Sequence, residues 1–162
     1  RRKPSNYALQ LTEKQKVRFV YGIQEKQLRR TFARAEKKSG NVGENLLTLL
    51  EQRMDNVVYR LGLASTRREA KQLVSHAHFT LNGKKMNIPS ATLKVGDVVA
   101  VREKSLQSPK FKALAENLKG KATPAWLELD AANMSGKVVA LPARADVDAP
   151  IAEQLIVEFY SR

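Results

Sequence analysis

Arg67, Arg68, Lys71, Gln72, Ser75 and His76 are the residues whose types and spacing could do chemistry, and that chemistry is anion binding. They follow Thr66, and Thr66-Arg67-Arg68-Glu69 has the form of a capping box, in which a hydroxyl and a carboxylate satisfy orphan N–H groups at a helix start. Ala70, Leu73, Val74 and Ala77 recur at i, i+3, i+4, i+7 and make one apolar stripe. The six polar and basic residues then fan over the remaining surface of the same helix. Two arginines at a helix start forgo the favourable dipole interaction that acidic residues have there. Their placement makes sense if they face an external anion.

Catalytic and metal-binding patterns are missing. His76 and His78 are two apart, which on a helix points them in different directions. With no cysteine and no acidic cluster beside them, a zinc site is not expected. Gly40-Asn41-Val42-Gly43 precedes a helix and could offer N–H groups to a phosphate, but it lacks a Walker lysine and serine and reads as ordinary loop. Asp97 follows Gly96 in a turn, where Asp serves local hydrogen bonding. There are no paired carboxylates, no Ser/His/Asp constellation and no GxGxxG. The expectation is a protein without catalytic residues, metal or cofactor.

The elements that must position the cationic face can be read around it. His78 to Leu81 forms a strand, Asn82-Gly83 signals a type I′ hairpin, and Lys85 to Ile88 returns. Val95-Gly96-Asp97 turns into a third strand, Val98 to Val101. Upstream, one long apolar helix from about Glu44 to Leu61 carries Arg53, Asn56 and Arg60 as a polar strip, with Gly62 as its stop. Nearer the N-terminus, Thr12 to Gln15 is a second capping-box candidate, followed by the narrow stripe Val17, Val20 and Tyr21 and by Gly22. A helix from about Gln24 to Lys38 turns Leu28, Phe32 and Ala35 inward, with Lys26, Arg29, Arg30, Arg34 and Lys37 over the rest. Downstream, Ser108-Pro109 starts a helix with the stripe Phe111, Leu114, Ala115 and Leu118. Trp126 to Leu129 and Lys137 to Leu141 read as two further strands, with Trp126 a core anchor. Ile151 to Tyr160 fits either helix or strand and is too apolar for a free tail.

These elements predict an α+β fold. Residues 1–50 with 142–162 make a discontinuous helical lobe. Residues 51–141 make a lobe in which helices pack on a mostly antiparallel five-stranded sheet, with the helix-hairpin-strand module at 53–104.

Composition narrows the partner. The 162 residues are 43% hydrophobic, enough for a core, yet the net charge is +13. The charge is graded: residues 1–40 hold 12 Lys/Arg against 3 Glu, 41–104 hold 10 against 6 acids, and 105–162 hold 7 of each. A footprint on a polyanion running from the N-terminus into the Thr66 helix would produce that gradient. No apolar run is long enough to span a membrane and no signal sequence is visible, so a cytoplasmic protein with no membrane partner is expected. The first residue is Arg1 rather than Met, so a fragment or processed form is expected.

The segment RMDNVVYRLGLASTRREAKQLVSHAHFTLNGKKMNIPS resembles the family of bacterial small-subunit ribosomal protein four. YALQLTEKQKVRFVYGIQEKQLRRTF, GENLLTLLEQR and the closing LIVEFYSR are similar to the same family, so the likeness covers nearly the whole chain. The resemblance implies a structural constituent of the small ribosomal subunit that binds small-subunit ribosomal RNA early in assembly and organises a helix junction. It implies contact with small-subunit protein five, an influence on translational accuracy and, in some members, binding to the protein's own messenger RNA. The family carries a further N-terminal segment, which in some members holds a cysteine zinc site, so no zinc is expected here. Matched residue by residue, the resemblance gives an RNA role to Arg53, Asn56, Arg60, Arg67, Arg68, Lys71, Gln72, Ser75, His76 and Asn82, with the hairpin lysines Lys84 and Lys85 beside them. Further phosphate contacts fall to the arm Arg1, Arg2 and Lys3 and to Lys14, Lys16, Arg18, Arg29 and Arg30.

Two other classes compete. An RNA-modifying enzyme sharing the same module would need a catalytic domain with an active-site Asp in an apolar pocket, and the remaining residues are too few and too basic. A DNA-binding protein would use the Thr66 helix as a recognition helix, which the hairpin directly after it disfavours.

Overall fold

Ser5 opens the first helix, its hydroxyl accepting from the Ala8 N–H at 3.1 Å. The structure is a computed structural model describing residues 1–162. Helix α1, Asn6–Tyr21, thus begins well before Thr12, the start expected from sequence. Thr12 sits mid-helix and donates its hydroxyl to the Ala8 carbonyl at 2.7 Å. Nothing in residues 6–11 breaks a helix, so the earlier cap wins. Gly22 ends α1 with φ +64°, its N–H bonded to the Arg18 carbonyl, a backbone state that glycine adopts at no steric cost. Helix α2 is Glu25–Glu36, and α3 is Val42–Glu51, whose first turn is capped by the Asn41 side chain accepting from the Glu44 N–H.

The chain divides into two compact units, residues 1–50 with 143–162 and residues 51–142. In the first, the C-terminal segment is helix α8, Glu153–Tyr160, which lies along α1. Val17, Tyr21, Leu28, Phe32, Leu46, Leu50, Ile151 and Ile156 share one buried core. The Glu13 carboxylate accepts from the Ala152 N–H at 2.8 Å, which ties the first turn of α8 to α1.

The second unit holds α4 (Met54–Leu61), α5 (Arg67–Ser75), α6 (Glu103–Leu106) and α7 (Pro109–Leu118). Its strands are β1 (Phe79–Leu81), β2 (Lys84–Met86), β3 (Val98–Val101), β4 (Leu127–Asp130) and β5 (Ser135–Val138). They form one antiparallel sheet in the order β2-β1-β3-β5-β4. Strand β5 runs over Ser135–Val138 rather than the expected Lys137 to Leu141; Gly136 pairs with Val99 and packs beneath Leu61, whose side chain would overlap any Cβ at that position. Met54, Val57, Leu61, Leu73, Phe79, Val99, Phe111 and Trp126 belong to the core.

The long helix expected over 44–61 is two helices. Arg53 is extended (φ −64°, ψ 143°) and forms a bridge to Thr92. Met54 N–H donates to the Ala91 carbonyl, Asp55 N–H to Pro89, and Leu93 N–H to Gln52. The segment 89–93 therefore takes the hydrogen bonds that a continuous helix would have made internally. Tertiary pairing overrides a local pattern that reads as helix throughout.

Candidate nucleic-acid interface

Helix α5 is built as the sequence requires on its inner side, where Ala70, Leu73 and Val74 are buried. Thr66 caps it, accepting from the Glu69 N–H at 3.0 Å. Only that half of the expected capping box forms. The Glu69 carboxylate accepts instead from the Ser65 hydroxyl at 2.6 Å and pairs with Lys110 at 3.1 Å. The Ser65 bond foremost, with Lys110 beside it, outweighs partial burial and holds the Glu69 carboxyl below its usual range. Arg68, Gln72, Ser75 and His76 are exposed, and Lys71 is half-buried. Lys84 and Lys85 are exposed on β2.

Arg53, Asn56, Arg60 and Arg67 make hydrogen bonds within the fold, Arg53 and Asn56 buried and Arg67 half-buried. Glu51, 0% exposed, receives the Asn56 side-chain amide at 2.6 Å and the Arg60 guanidinium at 2.7 and 3.1 Å. Asn56 in turn accepts from Arg67 Nε at 2.9 Å, and the Arg67 guanidinium lies 4.6 Å over the Tyr59 ring. Arg53 is buried and forks onto Asp55 at 3.1 and 3.2 Å. A carboxylate with no solvent around it thus anchors α4 to the first residue of α5. Glu51 and Tyr59 had no place in the sequence reading, because their link to Arg67 depends on the break at Arg53. Their only signal was one acid beside a strip of arginines.

Asn82 also works internally. Both turn residues have positive φ, +53° at Asn82 and +83° at Gly83, as the type I′ hairpin requires. The Asn82 side chain accepts from the Val98 N–H at 2.8 Å and donates to Asp97 at 3.0 Å, stitching the hairpin to β3. His78 packs on Phe111 with its Nδ1 2.8 Å from the Ser105 hydroxyl. Burial, and then the nearby charges of His76, Arg102 and Lys110, push its imidazole below the ordinary histidine value. Burial thus does most to hold this imidazole toward its neutral form, and the Arg102 and Lys110 charges act in the same direction.

In the first unit the expected cations separate similarly. Arg1, Arg2 and Lys3 are exposed ahead of α1, and Arg29 and Arg30 are exposed on α2 with Lys26, Arg34 and Lys37. Lys14 is buried, its ammonium 2.7 Å from Glu25 and 4.9 Å over the Phe159 ring. Lys16 bonds Glu13 and the Pro150 carbonyl, and Arg18 bonds Gln15. Burial raises the Glu25 carboxyl, but hydrogen bonds from Lys14 and Tyr160 and the charges of Lys14 and Arg18 outweigh it and leave it below the usual range. Lys14 and Arg18 therefore pair toward Glu25 of α2 and Lys16 bonds Glu13 and Pro150, whereas Arg29 and Arg30 present charge to solvent.

No group of three or more metal-ligating side chains comes together, and no helix is long and apolar enough to cross a membrane. What the arrangement can do is hold phosphates. Two sets of exposed Lys and Arg stand on helices whose opposite faces are locked into cores.

Residues 1–51 match the family model described as Ribosomal protein S4/S9 N-terminal domain, and residues 52–99 match the S4 domain. The whole chain is 62% identical to small ribosomal subunit protein uS4 of Acetivibrio thermocellus and covers 78% of that protein. It is 59% identical to uS4A of Alkaliphilus metalliredigens and 57% identical to uS4 of Clostridioides difficile, again over all 162 residues and 78% of each relative.

Proposed function

Because the chain belongs to the small ribosomal subunit protein uS4 family, we propose that it is a structural component of the small ribosomal subunit that binds small-subunit ribosomal RNA and performs no catalysis. The observation that carries this reading is the construction of α5. Arg68, Lys71, Gln72, Ser75 and His76 face outward, while the helix is fixed from behind by Ala70, Leu73 and Val74 and at its start by the Glu51–Asn56–Arg67 chain. Double-stranded RNA is recognised chiefly through shape, phosphates and 2′-hydroxyls. Cations carried on a helix whose backbone is fixed suit that task, because only their side chains must be ordered when they meet a phosphate.

In its finer form the proposal is that the protein binds early, without other proteins, and holds several RNA helices at a junction in one relative orientation. Contact with small-subunit protein five, an influence on decoding accuracy and binding to its own messenger RNA belong to the same proposal. In this reading Arg68, Lys71, Gln72, Ser75, His76, Lys84, Lys85, Arg29, Arg30 and the Arg1 to Lys3 arm touch RNA. Arg53, Asn56, Arg60, Arg67 and Asn82 hold those contacts in position.

Chemical probing of small-subunit ribosomal RNA with and without the protein tests this. Protection should cluster where several helices meet. Uniform protection along the RNA, or none, would refute specific binding at a junction.

A further inference from the structure

The first unit contains an open cleft of about 340 Å³ between α2 and α8. Its floor is aromatic: Phe159 and Tyr160 stand edge to face at 5.2 Å, and Tyr160 lies 4.8 Å from Phe32. The Tyr160 hydroxyl donates to Glu25 at 2.8 Å, which fixes that ring. Arg29, Ala33 and Glu36 line the wall from α2, and Arg162 closes the far side, steadied by Gln10 at 2.6 and 2.8 Å and lying 5.1 Å over the Tyr7 ring. Arg29 and Glu36 are two helical turns apart on one face, about 10 Å at 1.5 Å per residue.

An aromatic floor flanked by guanidinium groups is the combination that holds a single unstacked base together with its phosphate. The volume lies at the small end of ligand pockets, the size for one nucleotide rather than a helix. Glu36 adds direction. A carboxylate repels phosphate and accepts N–H groups, so the phosphate belongs at Arg29 and Arg162 and the base edge at Glu36. Guanine fits best, since its N1–H and N2–H are parallel donors that match the two carboxylate oxygens.

We propose that this cleft is a binding site for one extruded guanine nucleotide of the RNA, packed against Phe159 and Tyr160, with its phosphate on Arg29 and Arg162 and its base edge on Glu36. The proposal rests on the RNA-binding reading above but names a separate site. It does not involve α5.

Guanosine 5′-monophosphate tests the cleft directly. Titrated into the full chain, it should shift the NMR signals of the Ala33 methyl and of the Phe159 and Tyr160 rings. Uridine 5′-monophosphate should shift them less, and inorganic phosphate should move only the Arg29 and Arg162 signals. Ala33→Leu fills the cleft from an exposed helical position without changing charge. It should abolish the ring shifts and weaken binding of small-subunit ribosomal RNA about 5- to 150-fold. If guanosine monophosphate leaves Ala33, Phe159 and Tyr160 unmoved, or moves them no differently from phosphate, the site does not exist. Ring shifts without any affinity for ribosomal RNA would instead uphold the cleft and overturn the RNA-scaffold function.

Discussion

Glu51→Ala should destabilise the second unit strongly. Glu51 is 0% exposed and the Arg60 side chain 7% exposed, so the pair lies where water cannot take over when one partner is removed. The substitution deletes the acceptor of three side-chain hydrogen bonds, from Asn56 and from two nitrogens of Arg60. Breaking a buried ion pair from one side typically destabilises by about 3–5 kcal/mol. Glu51→Gln keeps shape and an acceptor oxygen and should lose about 1–3 kcal/mol. Trp126, the single tryptophan and 1% exposed, belongs to the same core and reports unfolding of this unit in urea by fluorescence. The pair Glu51→Leu with Arg60→Met should lose much less than Glu51→Ala, since no uncompensated charge remains. RNA affinity should fall with Glu51→Ala under conditions where the protein stays folded, because Asn56 no longer holds Arg67 in place. A Glu51→Ala variant within about 0.5 kcal/mol of wild type, the range of an ordinary surface change, would refute the anchoring role.

Arg68→Ala should weaken RNA binding while changing thermal unfolding little, whereas Leu73→Ala should lose roughly 2–5 kcal/mol through a core cavity. Equal destabilisation by both would mean that the faces of α5 are misassigned. Deleting residues 150–162 removes Ile151 and Ile156 from the first unit's core, so amide exchange should loosen in residues 12–38 and stay slow in 51–142. Unchanged protection in 12–38 would contradict that dependence. His78 should give the protein an acid-side sensitivity. Above about pH 6.5 the imidazole is neutral in both states; below it the unfolded chain takes up a proton that the folded protein resists, so this part of the stability is lost as pH falls from 6.5 toward the depressed folded value. Thermal unfolding between about pH 5 and 8 should show a slope that His78→Asn removes, and an identical slope in both proteins would exclude His78 as its source.

Periodicity made α5, the hairpin and β3 legible because each is short, locally capped and bounded by Gly or a turn. Thr66, Asn82-Gly83 and the stripe Ala70, Leu73, Val74 each settle their own geometry. The same reasoning failed at Gln52-Arg53, where backbone bonds to residues 89–93 replace helix bonds and no local residue announces the change. On one unbroken helix Arg53, Asn56 and Arg60 form an outward strip; with the break they turn inward onto Glu51 and Asp55. Spacing also could not separate Arg29 and Arg30, which project from α2, from Lys14, which is drawn onto Glu25 across two helices. The sequence carries the charge of a cation but not the position of its counter-ion when that acid comes from another element. The C-terminal segment was open between helix and strand for a related reason: its stripe matches both periods, and packing along α1 selects the helix.

In the proposed function, exposed cations on fixed helices bind ribosomal RNA through its phosphates. Filter binding of small-subunit ribosomal RNA across a range of salt concentrations measures this directly. With six phosphates engaged, the log–log slope should be about −4 to −5, and Arg68→Ala should make it shallower by about one. A slope near zero, or one that Arg68→Ala leaves unchanged together with the affinity, would contradict the account.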